Sequence, residues 1–311
     1  MSATLLGIEI GGTKLQMVLG DNAGAIHQRW RLGVDSAKGG TGIREQIAAM
    51  LPEVGRVASL RAIGVGFGGP VDWKTGRICC SHQVSGWGDF EMGDWLSRES
   101  GLPVVVENDS NSATLAEATC GAGAGSDPVF YFNMGSGVGG GLVTEGRIYH
   151  GARPGEAEFG HLRLEPEGVI VEERCSGWAV DRRIRTLKST VPESLLARLI
   201  GETTGGESRH LATALAGGDA GARWILEELG EDLGFALSHV VHLFHPQVIV
   251  MGGGLSLVGE PLRAAVESAL PRFVMEAFHP VPPVCLAGLG EDAVPVGALL
   301  LAAKLGAPQG A

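Results

Sequence analysis

Short apolar runs that end on glycine punctuate this chain, and their periods predict its elements. Leu5-Leu6-Gly7-Ile8-Glu9-Ile10 predicts a strand, Gly11-Gly12-Thr13 a turn, and Lys14 to Gly20 a returning strand, together a glycine hairpin. Ile43, Ile47 and Leu51 recur at helical spacing and predict a helix over 42–51. Arg61 to Phe67 reads as a buried strand broken at Gly68-Gly69-Pro70. Pro103 to Glu107 reads as another strand, Asn108 to Asn111 as a turn, and Ser112 to Cys120 as a helix. Beyond the stretch Gly121 to Ser126 the pattern restarts. Val129 to Met134 predicts a strand, Gly135 to Gly141 its turn and Leu142-Val143-Thr144 the return, a second copy of the opening hairpin. A helical section from Ser176 to His245 ends in a long helix with Ile225, Leu229, Leu233, Leu237, Val240 and Phe244 on one stripe. Val248 to Met251 predicts a strand ending at Gly252-Gly253-Gly254, and Pro295 to Leu305 an apolar helix. The order predicts two α/β halves around a cleft, divided near Gly121 to Ser126.

Composition narrows the function classes. With 311 residues, 44% hydrophobic and 19% charged, the chain can build two real cores and does not have a disordered composition. It has neither an unbroken apolar run of about 18 residues nor a basic leader, so neither a membrane span nor export is expected. A net charge of −11 repels a phosphate backbone, which argues against nucleic acid as a partner. Five cysteines without a C-x-x-C pair fit reduced thiols in a cytoplasmic protein, and not a thiolate zinc site. Fifty glycines, about twice the usual share, cluster after the apolar runs.

Gly135-x-Gly137-x-x-Gly140 matches the dinucleotide fingerprint, but that motif needs a helix directly afterwards, and here a strand is predicted. A Walker A loop is excluded because the sequence has no Gly-Lys pair. A glycine hairpin with a hydroxyl can wrap phosphate oxygens in backbone N–H groups. Either hairpin alone reads as an ordinary tight turn; two in corresponding places, with a third glycine turn at Gly252, point towards phosphate.

Seven segments taken in order resemble the ROK family, the bacterial sugar kinases and sugar-responsive repressors of the actin/hexokinase superfold. They are Gly7 to Lys14, Gly66 to Asp72, Glu107-Asn108-Asp109-Ser110-Asn111, Gly135 to Gly141, Glu158-Phe159-Gly160-His161, His245 to Gly254, and Asp292 to Leu299. The resemblance implies a duplicated, ribonuclease H-like α/β fold with two domains around a cleft. Residues 1–120 would form the first domain, with a C-terminal helix over 291–307 packing back on it, and 121–290 a larger second domain. It also implies an ATP- and Mg2+-dependent kinase, a homodimer, whose hexose lies between closing domains. Asp109 matches the family's catalytic base, a role phosphoryl transfer to an alcohol requires. Gly69, Asn108, Glu158, His161 and Glu172 match sugar-binding positions. Gly11, Gly12, Thr13, Lys14, Gly135, Ser136, Gly137, Gly252, Gly253 and Gly254 match the nucleotide loops. Glu9 would hold magnesium through water.

Read without the family, Asp109 serves equally as N-cap of the next helix, and His161 as a satisfied core histidine. His239, His242 and His245 sit at a helix C-terminus, where they complement the dipole rather than form a metal site. Three departures from the family pattern stand out. Glu9 replaces the usual Asp, Gln83 stands near the usual Asn beside the sugar, and the zinc-binding cysteine segment is missing between His161 and Glu172, so no structural zinc is expected. Glucose is the first expected substrate; fructose, mannose or an N-acetylated amino sugar are alternatives. A non-catalytic sugar-sensing regulator is a further one, although such relatives begin with a DNA-binding domain and this chain enters its first strand within a few residues.

Overall fold

The computed structural model describes residues 4–305 apart from 82 and 156, so positions 306 and 307 of the expected C-terminal helix lie outside the described residues. The chain forms two compact units. The first comprises Met1–Thr119, Arg147–Ala157 and Glu291–Ala311; the second comprises Cys120–Gly146 and Glu158–Gly290. The stretch Arg147–Ala157, on the far side of the expected division in sequence, thus clusters with the first unit.

The first unit holds a five-stranded sheet built from β1 (Thr4–Ile10), β2 (Lys14–Gly20), β3 (Ile26–Gly33), β4 (Leu60–Phe67) and β5 (Val104–Asn108), in the order β3-β2-β1-β4-β5. β1 and β2 form the expected hairpin, and β1, β4 and β5 run parallel. The sequence pattern misses β3 because charged and polar residues such as His27, Arg29 and Arg31 interrupt it. Such side chains suit an edge strand, where they discourage pairing with another chain. The first helix runs over Gly39–Val57, longer than 42–51, and buries Ile43, Ile47 and Val54. The helix after β5 spans Asp109–Cys120, so the expected turn at Asn108 to Asn111 is already its first turn. The side chain of Asn108 makes this possible: its Oδ1 accepts the Asn111 N–H at 3.0 Å.

The C-terminal helix, Ala293–Lys304, lies so close on this sheet that glycine is required beneath it. A Cβ on Gly7 would stand 2.9 Å from the Pro295 carbonyl oxygen, and one on Gly64 would collide with the carbonyl of Ala298. These glycines serve packing, not a ligand.

The second unit repeats the plan with β6 (Val129–Met134), β7 (Val138–Thr144), β8 (Val248–Gly252) and β9 (Val284–Leu286), ordered β7-β6-β8-β9. β6 and β7 are an antiparallel hairpin, and β6, β8 and β9 run parallel. The turn is only Gly135 to Gly137: Gly139, Gly140 and Gly141, expected in it, pair with Asn133, Phe132 and Tyr131 inside the ladder. A strand therefore follows the glycines, against the dinucleotide reading. The long helix Ala220–Phe244 buries Ile225, Leu229, Leu233, Leu237 and Val240 of the expected stripe, whereas Phe244, at its last turn, is 39% exposed. Among the described residues, no helix is long and apolar enough to cross a membrane.

Candidate active site

Strand register assembles the chemistry of the first unit. Ile10 pairs with Phe67, and Phe67 with Asn108, so Gly11, Gly68 and Asp109 emerge together at the carboxyl edge of three parallel strands. Ligands of parallel α/β sheets gather at such edges. Asn108 is 8% exposed and donates from Nδ2 to the Gly69 carbonyl at 3.3 Å. Because Asn108 caps the helix, the Asp109 carboxylate is not consumed as a cap; its Oδ1 accepts the N–H of Ser110 at 2.7 Å. Burial first, and then the charge of Glu9, push the Asp109 carboxyl up to about 6. The Glu9 carboxylate accepts a hydrogen bond from Gln16 Nε2 and pairs with Lys14 Nζ at 3.3 Å. Gln16 is fully buried and takes a further bond from Arg29 at 3.0 Å. Polar partners from β2 and β3 thus hold the longer side chain that departs from the family pattern. At Gly12, the place a Cβ would occupy is filled by the side chain of Gln83.

In the second unit, Phe159 fixes the turn Glu158-Phe159-Gly160-His161. Its ring packs against Phe130 and Phe132 at 5.7 and 5.4 Å, while Gly160 presses on the Val138 carbonyl. Glu158 and His161 are left outward, 4.0 Å apart, with side chains 51% and 61% exposed. His161 is therefore not a buried core histidine. Between His161 and Glu172 the chain closes on itself through the pairing of Arg163 with Ile170 and through Val171 N–H to the Leu162 carbonyl at 2.9 Å. Val171 and Cys175 are both fully buried, so the short helix Val171–Cys175 turns Glu172 towards the hairpin, where its Oε2 accepts the Val138 N–H at 2.8 Å. Gly253 holds a left-handed φ of 81°, and a Cβ there would lie 2.5 Å from the Met134 backbone, which locks the third glycine turn against the first strand of the hairpin. By contrast, nothing lies within 4 Å of the positions a Cβ would take on Gly135 and Gly254. Both border a recess of about 460 Å³ that Ser136, Trp178, Asp181, Arg209 and Leu257 also line.

Comparison with known proteins supplies the decisive observation: the model of the ROK family matches residues 5–305. The chain belongs to the ROK family. It is 29% identical over 302 residues to a glucokinase of Thermotoga maritima, covering 94% of this chain and 95% of the relative. It is 28% identical to a β-glucoside kinase of Klebsiella pneumoniae, covering 79% and 80%. Its fold matches the crystal structure of a ROK family glucokinase from Streptomyces griseus in complex with glucose and AMPPNP, with a TM-score of 0.86, 30% identity and coverage of 97% and 100%.

The donor chemistry of this ROK protein suits the groups its family implies. Mg2+ takes oxygen ligands, typically one or two carboxylates with waters and phosphate oxygens, and the charge of Glu9 reaches the Asp109 carboxyl. The open faces of Gly135 and Gly254 leave the backbone accessible to a phosphate chain. Among the described residues, no group of three His, Cys, Asp or Glu could hold a metal. The recess also exposes residues the motifs do not contain. Asp181, 4% exposed, accepts the N–H groups of Gly206 and Ser208 at 2.8 and 2.7 Å and so builds its wall. Trp178 is 59% exposed and Leu257 84%. Ser176-Gly177-Trp178 reads in sequence only as a helix start, which it is: Ser176 Oγ caps the helix Gly177–Thr190. An exposed Trp is a signal only once its neighbours are known.

Proposed function

We propose that this ROK protein is an ATP-dependent sugar kinase that transfers the γ-phosphoryl group of ATP to a hydroxyl of a hexose, glucose before others. The Asp109 carboxylate carries the reading: it stands at the carboxyl edge of the sheet, free of the capping role, and burial and the charge of Glu9 push it up to about 6, towards the pH at which a general base works. Asp109 accepts the hydroxyl proton while the sugar oxygen bonds to the γ-phosphorus and the bond to the β–γ bridging oxygen breaks, releasing ADP. Asn108, Gly69, Glu158, His161 and Glu172 bind the sugar and select for its hydroxyls, since a site built of polar groups rejects a ligand that leaves them unpaired. The segments Gly11 to Lys14, Gly135 to Gly137 and Gly252 to Gly254 receive the phosphates, and the recess beside Trp178 receives the rest of the nucleotide. Glu9 would hold Mg2+ through water, whose charge offsets that of the phosphates.

The similarity to a glucokinase bound to glucose and AMPPNP supports glucose and ATP, and the similarity to a β-glucoside kinase makes a glycosylated glucose the second reading. The test is ADP release with glucose, mannose, fructose, an N-acetylated amino sugar and a β-glucoside, each with ATP and Mg2+. The highest kcat/KM is expected for glucose. ADP release stimulated by none of the five would overturn the kinase reading, and a clear preference for another sugar would overturn the glucose assignment.

A further inference from the structure

Directly before the Asn108–Asp109 corner lies a carboxylate that the proposed chemistry does not use. Glu107 is 3% exposed. Its Oε1 accepts the backbone N–H of Asn108 at 2.9 Å and Asn111 Nδ2 at 3.1 Å, so it binds both ends of the capping turn. Its Oε2 faces His150 Nε2 at 2.6 Å. Burying a carboxylate is costly unless donors surround it, and two of these donors are local to the corner. The third comes from 43 residues away, on the segment Arg147–Ala157. That segment is fastened twice more. The His150 ring stacks on Trp73 at 4.1 Å with 14° between planes, and Arg153 pairs with Asp72 at 3.0 Å. Asn111 Nδ2 also donates to the Gly155 carbonyl at 3.0 Å, which ties the far end of the segment to the same turn.

We propose that Glu107 and His150 are positioning residues for the base: His150 holds the Glu107 carboxylate in the orientation that fixes the Asn108 N–H and the Asn111 amide, and thereby the direction in which Asp109 leaves the sheet. With Glu107 in place, every polar group of Asn108 has a protein partner. Its N–H goes to Glu107, its Oδ1 receives Asn111, its Nδ2 goes to Gly69, and its carbonyl receives Ser112 Oγ at 2.9 Å. Removing the His150 donor frees one oxygen of Glu107 to turn, and the corner loses the anchor of its first N–H. Displacing a catalytic group by about 1 Å can cost on the order of a hundredfold in rate, so a modest loosening is visible in kcat.

The inference rests on the kinase reading for its activity arm but not for its structural arm. His150→Phe keeps the ring on Trp73 and removes the donor; His150→Gln restores a donor of similar reach. Hydrogen exchange of full-length protein is compared over 107–112 and over 147–157, alongside kcat, sugar KM and Tm. The expected result is faster exchange of 107–112 in His150→Phe, kcat lowered about tenfold with sugar KM within about threefold, and recovery of most of both in His150→Gln. Combining His150→Phe with Glu107→Gln is expected to cost no more than the worse single change, because both act through one contact. Unchanged exchange over 107–112 overturns the proposal, as does wild-type kcat in His150→Phe. So does a loosening confined to 147–157, which would show a fastening and nothing more. Should the wild-type protein phosphorylate no sugar, the kinase reading falls and the exchange comparison still decides this one.

Discussion

Asp109 meets two opposed demands, and both can be measured on one substitution. Its carboxyl is raised from 3.8 to about 6, by burial first and by Glu9 second. The folded protein therefore holds a proton that the unfolded chain releases over that interval. The stability this group contributes is fully present below pH 3.8 and is lost as pH rises through about 6, leaving a partly buried charge that opposes folding at neutral pH. Asn cannot ionise, but keeps an oxygen for the Ser110 N–H. Asp109→Asn is thus expected to lower kcat at least a hundredfold, the lower bound of general-base assistance, while raising the Tm at pH 8. The gain has an upper bound of roughly 3 kcal/mol and vanishes towards pH 4. Turnover near the wild-type rate would remove Asp109 from the chemistry, and a fallen Tm at pH 8 would contradict the burial of its charge. In the wild-type protein, kcat/KM is expected to fall by one decade per pH unit below about pH 6, as the base takes up its proton; a flat acid limb down to pH 5 would speak against Asp109 as the titrating group.

At the scale of elements, glycine separates packing from binding. Gly64 lies beneath the C-terminal helix with the Ala298 carbonyl where a side chain would start, whereas Gly254 faces open space in the recess. Gly64→Ala is therefore expected to cost on the order of 2–4 kcal/mol in urea unfolding, since the helix must lift from the sheet. Gly254→Val is expected to leave the urea midpoint in place and raise the KM for ATP about tenfold, by filling the approach to the backbone. A stable Gly64→Ala protein, or an unaltered ATP KM in Gly254→Val, would refute the respective assignment. The same contrast shows what the sequence could and could not say. Both hairpins, the parallel strands and the long apolar stripe were legible, because each is a local period. The edge strand Ile26–Gly33 was not, because an edge strand tolerates the charges that conceal its period. The helix start was misread at Ser112 because its cap, Asn108, sits inside what reads as a polar turn. The motif residues, Glu107 among them, were legible through the family resemblance, but Trp178, Asp181 and His150, the partner of Glu107, were not. Asp181 and His150 act through partners 25 and 43 residues away, and no spacing rule connects them.

For the whole molecule, the recess proposed for the nucleotide is lined by residues of the second unit, from Ser136 through Trp178 and Asp181 to Leu257. Two of the three proposed phosphate loops and the whole recess lie in that one unit, so AMPPNP is expected to bind the protein without a hexose. The net charge of −11 works against this association at long range, because the field of the molecule repels a polyanion. Nearby, the open glycine backbone and Arg209 must overcome that repulsion. Salt at 0.15 M shortens the reach of the field to about 8 Å, so moderate salt is expected to leave nucleotide affinity unchanged or improve it, the opposite of a basic phosphate-binding surface. Binding to the folded state alone stabilises by mass action, about 2.7 kcal/mol at a ligand concentration a hundred times Kd. Thermal unfolding with saturating AMPPNP and no sugar should thus rise by several degrees, and by at least as much at 0.15 M KCl as at 0.02 M. An unchanged Tm until hexose is added would show that the second unit alone does not complete the nucleotide site, and a shift that collapses with salt would assign the binding to surface charge instead of the recess.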